Sequence, residues 1–463
     1  MSCCPRVNGG TPLGQRPIGL LPSIYRVWAR IRVADLKETM EGGRLAEEMG
    51  GRPGVGAEES ALWAALRVEA AGGCGHRAAT AFIDVSKCYE TVDLERAYRA
   101  VREEGWPRVI ADLVFQQYAA ARRIRVAGAM GRGVPASRGI IAGCGFAVYA
   151  LAAFMRPVVR EVRGMGEGIT IRTYVGDIRI DAVRERGAAE AVARARDAVV
   201  RGLKDIGLEA HPQKTHTIGH DSATAAAIGR GGGARYSGKR AKGKDLGVDV
   251  HGKGRSVKVL KGRLLKGMAR ATRVARLPIG RGGRAHIVAA GVNRAVLYGV
   301  GVTGISDSDL RKWRSAVVQA VAPGRAARTC TRATLVLAAK QEVDPEVLVP
   351  SEVVGTWARM VWGLERVPDE AGDALGRYPE AWKGGIPKGG IVKIRGPMGA
   401  LCQAMGRLGW TMQAPGAFRD RTGYVWDLTR HAPSGVKWAA GRGAAVLAWG
   451  RARQRRGGPG GSA

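Results

Sequence analysis

Two aspartates stand where apolar strands should end. Asp84 closes a buried-type run from Ala79 to Val85, and Asp177 sits in TYVGDIRI (residues 173 to 180), at the tip of a hairpin. An aspartate at a strand end also serves as an ordinary turn or cap residue. Two such carboxylates on neighbouring strands of one sheet can instead share divalent cations. In-line phosphoryl or nucleotidyl transfer requires such cations to activate the attacking oxygen and steady the leaving one. Two further segments carry chemistry. RGIIAGCGFAVYA (138 to 150) is a glycine-rich turn opening an apolar helix, where a backbone can come close to a substrate or template. GLEAHPQKTHTIG (207 to 219) follows a helix and sets Lys214 in a loop, where its ammonium could meet a triphosphate or simply be solvated.

The elements that must position these residues follow from periodicity. Residues 79 to 85 read as a buried strand, and Ile171 to Val183 as two short strands joined at a Gly-Asp turn. Arg16 to Leu21 reads as extended. Helices are expected over Ser23 to Met40, Leu94 to Glu103, Val109 to Ala121 and Ala188 to Ile206, the last ended by Gly207. Further helical runs fall at Val257 to Ala275, Arg284 to Leu297 and Ser306 to Ala322, and the last third is Trp-spotted and poorly periodic. Helices packing on a small sheet make an α/β class, α+β in the part that holds the aspartates.

Lys and Arg number 74 against 40 Asp and Glu, a formal charge of +34 over 463 residues. Such an excess points to a polyanionic partner, nucleic acid first, although Gly, Ala and Arg enrichment also follows from GC-rich coding. The seven Cys include no C-x-x-C pair, which argues against a zinc knuckle and for a reducing compartment. His211, His216 and His220 have ligand-like spacing without an accompanying Cys. The uncharged run Gly139 to Met155 is too short to span a membrane and reads as a buried helix entered through a glycine turn. The start lacks a signal-peptide profile, so the chain is expected to be nuclear or cytoplasmic, not secreted, with GKRAKGK (238 to 244) a weak nuclear-import candidate.

In order, these segments resemble the palm of reverse transcriptases, particularly those of non-LTR (LINE-like) retrotransposons. FIDVSKCYETV resembles the first carboxylate motif of that family, F-x-D-x-x-K-x-Y/F-x-x-V; RGIIAGCGFA resembles its glycine motif and YVGD its Y/F-x-D-D box. GLEAHPQKT is similar to the following G-L-x-x-x-x-x-K-T element. RPIGLLPSIYRVWARI (16 to 31) and GRPGVGAEESALW (51 to 63) are similar to two fingers segments, and LYGVGVTGISDSDLRKWR (297 to 314) to the thumb region.

The resemblance implies roles residue by residue. Asp84 and Asp177 match catalytic metal ligands, with Val85 contributing its backbone beside Asp84. Tyr89 matches the aromatic that stacks under the sugar, Lys214 the lysine near the incoming triphosphate, and Gly143 the glycine against which the template base pair packs. Lys87 matches a salt-bridging palm residue, and Arg16, Arg26 and Arg30 are fingers candidates for phosphate contact. Two departures stand out. Gly176 occupies the position of the first aspartate of the Y-x-D-D box, which weakens two-metal stabilisation. Ala142 stands where many members carry Gln. Asp181 is expected too far from the hairpin tip to replace the lost ligand.

The resemblance further implies a right-hand polymerase: fingers over 1–78, palm over 79–220 with a fingers/palm insertion at about 100–137, and a basic loop and helical thumb over 221–325. A connection-like region over 326–447 and a disordered basic tail over 448–463 follow. The implied cofactor is Mg²⁺, two ions, with Mn²⁺ as a substitute. The implied partners are an RNA template, a DNA primer and dNTP, with no membrane and no small-molecule cofactor; no oligomeric state is implied. No endonuclease is expected ahead of the fingers, and no RNase H carboxylate set behind. The expected activity is RNA-directed DNA synthesis, impaired by Gly176. The alternative is a catalytically dead remnant that binds RNA or DNA.

Overall fold

The computed structural model describes residues 2–4, 16–52, 54–126, 129–230, 242–251, 257–324, 331, 334–335, 343–378 and 396–454. Its strands are, in chain order, β1 (Ser2–Cys4), β2 (Arg16–Ile18), β3 (Arg77–Asp84), β4 (Arg125–Val126), β5 (Ala129–Met130), β6 (Ile169–Tyr174), β7 (Asp177–Arg184), β8 (His216–Gly219), β9 (Lys242–Asp245), β10 (Val248–His251), β11 (Thr411–Ala414), β12 (Ala417–Arg419) and β13 (Val425–Asp427). The chain is mixed α/β.

The central sheet has the order β6-β7-β3-β8, with each neighbouring pair antiparallel. Side chains alternate across a strand, so this sheet has two faces of different composition. Ala79, Ala81, Ile83, Ile171, Ile178, Ile180 and Ala182 form the back and are buried in one core. Helices Ala147–Arg163 and Ala188–Asp205 cover that face with Leu151, Phe154, Val158, Val192 and Val199. The front carries Thr80, Phe82, Asp84, Arg172, Tyr174, Asp177, Arg179, Asp181 and His216 in facing rows.

A second core is helical. Leu264, Trp313, Val317, Trp357, Met405 and Phe418 belong to it, from helices Lys258–Ala275, Asp307–Val321, Pro345–Leu364 and Pro397–Leu408 and the small sheet β11-β12-β13. Helix Ala57–Gly73 joins the two halves. It inserts Ala61, Leu62, Leu66 and Ala70 into this second core while its Ala64 carbonyl accepts a hydrogen bond from Arg179 at 3.3 Å.

Several expected elements are redrawn. The run Ser23 to Met40 divides at Leu36 into helices Ser23–Asp35 and Lys37–Gly42. The run Arg284 to Leu297 begins at Arg281 and passes through a π-helical turn, Val288–Asn293, before Arg294–Leu297. The poorly periodic last third holds the 20-residue helix Pro345–Leu364 and the 22-residue helix Pro433–Gln454. Their apolar residues are not confined to one stripe, because the first is buried nearly all round. The last helix also continues through the start of the expected disordered tail, and residues 455–463 lie outside the described residues. Of the basic loop at 228–244, residues 231–241 lie outside the described set, but Lys242–Asp245 form β9. No helix among the described residues is long and apolar enough to cross a membrane.

Candidate active site

Asp84 ends β3, Asp177 begins β7, and the two are direct register partners, with Tyr174 completing the row. Opposed residues on one sheet face have Cβ atoms roughly 5 Å apart, and like charges placed so repel unless a cation intervenes. Here Lys214 supplies one: its Nζ lies 2.7 Å from Asp84 Oδ2. The pair spans 130 residues of sequence. Backbone bonds hold the lysine loop in place. His211 N donates to the Asp84 carbonyl at 2.7 Å, Ser86 N to that of Glu209 at 2.8 Å, and Val85 N to that of Gly176 at 2.9 Å.

The hairpin tip is tighter than a Gly-Asp turn. Tyr174 pairs with Asp177, so the two-residue connection is Val175-Gly176. Val175 has φ +60°, a left-handed conformation that a β-branched residue adopts only under strain. Gly176 is packed closely. A Cβ added there would lie 2.9 Å from Cys88 Cβ and 3.3 Å from Cys88 Sγ. Cys88 therefore occupies the room that an aspartate side chain at 176 would need. Burial, with the charges of Glu90, Asp177 and Asp84, pushes the Cys88 thiol up to about 12, so it stays protonated beside the carboxylates.

Below this row lies a buried polar layer. Arg179 donates to Asp181, to Asp245 of β9 at 2.7 Å and to Ala64 O, and Thr80 Oγ1 donates to Asp181 at 2.6 Å. Asp181 is opposite Thr80, four residues from Asp177 along the strand, which is roughly 13 Å. Arg172 stacks 4.1 Å over the Trp63 ring, only 5% exposed, and neither Nη1 nor Nη2 has a hydrogen-bond partner among the described residues. Burial lowers its pKa to about 9. A cleft of about 260 Å³ runs from Asp84, Asp177 and Lys214 down to Arg172, Arg179 and β9.

The glycine turn approaches from the other side. Ile140 N donates to the carbonyl of half-buried Tyr89, and Gly139 N to that of Val92. Gly143 has φ +93° with open space around it, so only its backbone conformation demands glycine. Ala142 beside it is exposed. Gly143 lines a groove of about 470 Å³ together with Arg26 and Arg30. The candidate residues thus form two groups, the carboxylate cleft and the arginine–glycine groove. The Arg16 side chain lies outside the described residues.

Lys87 departs from expectation: it is exposed, forms no ion pair among the described residues, and instead starts a short helix with φ +46°. The three histidines go separate ways, His216 stacking on Phe82 at 5.1 Å and His220 meeting Thr80 at 2.8 Å. Sequence reasoning missed Arg172, the β9–β10 hairpin and Cys88. Only Cys88, four residues after Asp84, was within reach of a local signal.

The family model for reverse transcriptase (RNA-dependent DNA polymerase) matches residues 9–249, and the chain belongs to that family. No curated protein sequence matches it. Among solved structures it is similar to the apo telomerase of Candida tropicalis truncated from its C-terminal domain, at 11% identity and TM-score 0.34, covering 50% of this chain and 44% of that one. It is also similar to the telomerase of Candida albicans in complex with a TWJ fragment of telomeric RNA, at 10% identity and TM-score 0.36, covering 76% and 55%. The chain spans about half the length of these two structures.

Proposed function

We propose that the chain is an RNA-directed DNA polymerase of the non-LTR type, extending a DNA primer on an RNA template with dNTP, and that Gly176 slows it. The observation that carries this reading is the register pairing of Asp84 with Asp177 beneath Lys214. In this reading the central sheet is a palm, residues 1–78 are fingers, residues 221–325 hold the basic loop and helical thumb, and 326–447 is a connection-like region.

The donor set fits Mg²⁺ or Mn²⁺. Two hard carboxylates face each other, and no group of three or more His, Cys, Asp or Glu residues able to hold a metal is found among the described residues. Such a cation takes its remaining oxygens from water and substrate phosphates. Asp84 and Asp177 would hold it, with the Val85 carbonyl as a further oxygen, and two bound ions would activate the primer 3′-OH and stabilise the leaving pyrophosphate. Lys214, released from Asp84, donates to the triphosphate. Tyr89 packs under the sugar, Gly143 lets the backbone approach the template base pair, and Arg26 and Arg30, with Arg16, contact phosphates. The missing carboxylate at 176 removes several kcal/mol of charge stabilisation, about a hundredfold or more in rate.

The test is primer extension on poly(rA)/oligo(dT) with Mg²⁺ or Mn²⁺. Slow extension abolished by Asp84→Ala supports the reading; tight duplex binding with no extension overturns it. The packing of Cys88 into the space at 176 favours a second reading, a nucleic-acid-binding chain that no longer polymerises. In that case Gly176→Asp combined with Cys88→Gly restores nothing.

A further inference from the structure

The meander β11–β13 presents an aromatic cluster at the surface of the C-terminal half. Tyr424 is 50% exposed, and its ring centroid lies 4.8 Å from Trp426 and 5.7 Å from His431, which are 5.3 Å from each other. Tyr424 Oη and His431 Nε2 are 2.8 Å apart. The cluster is rigidly built. Asp420 accepts from Thr422 N at 2.8 Å, Tyr424 N at 3.1 Å and Trp426 Nε1 at 3.1 Å, and Asp427 accepts from Thr429 N at 2.9 Å.

The charges around it are sorted. Both aspartates turn into their own loops, where hydrogen bonds occupy them. Arg421 is exposed and forms no ion pair among the described residues, and Arg430 makes only a 3.6 Å surface contact with Asp427. Helix Pro433–Gln454 starts two residues after His431 and displays a second aromatic, Trp438, 61% exposed with the Arg442 guanidinium 4.8 Å over its ring. The helical rise from Pro433 to Trp438 is roughly 8 Å, which sets Trp438 about one and a half turns along the helix that follows the cluster.

We infer that Tyr424 and Trp438, flanked by Arg421, Arg430 and Arg442, form a stacking platform for an unpaired nucleic-acid strand. Exposed aromatic rings accept any base through its π-face, and adjacent guanidinium groups hold the backbone phosphates. A protein partner suits the surface less well, because exposed arginines, of which only Arg430 contacts a carboxylate among the described residues, break up the apolar area. The platform lies outside residues 9–249 and does not depend on catalysis at Asp84 and Asp177.

The test is fluorescence anisotropy of the full chain with oligo(U) and oligo(dT), at low salt and at a raised salt concentration that suppresses purely electrostatic binding. Tyr424→Ala with Trp438→Ala should weaken single-strand binding about tenfold or more, and the loss should persist at high salt. Tyr424→Phe, which keeps the ring, should bind like the native chain, and duplex binding should change little in all variants. Equal losses for oligo(U) and oligo(dT) indicate base stacking alone, whereas a larger loss for oligo(U) indicates that the 2′-OH is also read. Unchanged single-strand affinity in the double variant, with thermal unfolding confirming a folded chain, overturns the inference. Primer extension by the same variants on a preformed duplex keeps this outcome separate from failure of the polymerase reading.

Discussion

The two faces of the central sheet are made by the same strands and held by opposite means. The back is Ala and Ile against two helices, and it gains stability from burial alone. The front is a ladder of charges, Asp84 and Asp177 at the open end and Arg172, Arg179 and Asp181 further in, buried beneath β9 and helix Ala57–Gly73. Buried ions contribute little net stability unless each is paired, yet losing one partner is costly. The front is therefore the face that stability alone would not build. Arg172 shows this most clearly, since its terminal nitrogens are buried without hydrogen bonds among the described residues.

The difference can be broken from either side. The largest effect should come from Asp84→Ala or Asp177→Ala, which should lower extension by about a thousandfold with little change in unfolding, as the lost contacts act on the transition state. Next, Asp181→Ala leaves Arg179 with one carboxylate fewer in a buried site and should cost about 3–5 kcal/mol by urea unfolding. Ile180→Ala on the back face should cost about 2–4 kcal/mol through a cavity, without the salt or pH sensitivity expected of the front.

The pH dependence sharpens that contrast. Burial alone would raise the Asp181 carboxyl, but Arg179 outweighs it and holds the pKa below the usual carboxylate value of 3.8. Its contribution is present above that value and lost as pH falls through the lower folded pKa. Acid titration of stability should thus be steeper for the native chain than for Asp181→Ala. Arg172→Met should be neutral or stabilising by about 1 kcal/mol, because it removes a buried cation whose terminal nitrogens make no hydrogen bond among the described residues, and keeps the contact with Trp63. A marked loss of stability would mean that Arg172 is paired after all.

A second pH-dependent effect should be at Glu58, where helix Ala57–Gly73 accepts a bond from Gly299 N at 2.9 Å. Burial, helped by Glu59, raises this carboxyl to about 7. A raised acid binds its proton more tightly when folded, so its contribution falls as pH rises from about 4.5 through 7. Glu58→Gln should flatten that slope in thermal unfolding measured from pH 5 to 8.

Much of this molecule is legible in local pattern. The apolar run ending at Asp84 and the alternation around Asp177 specify two strands with carboxylates at one end, because side chains repeat every second residue. The glycine turn is legible for the same reason, its conformation being set by residues next to it in sequence. The last third is less legible, because helix Pro345–Leu364, buried nearly all round, carries no single apolar stripe.

What tertiary structure alone decided is which distant groups meet. Nothing local to Lys214 indicates that it closes on Asp84, and nothing local to Asp245 indicates that it neutralises Arg179. Gly176 is the sharpest case. In sequence it is a missing carboxylate, whereas in space it is a position already filled by Cys88. Periodicity reports which face a residue points to, but close packing between segments far apart in the chain sets what room and what charge it finds there.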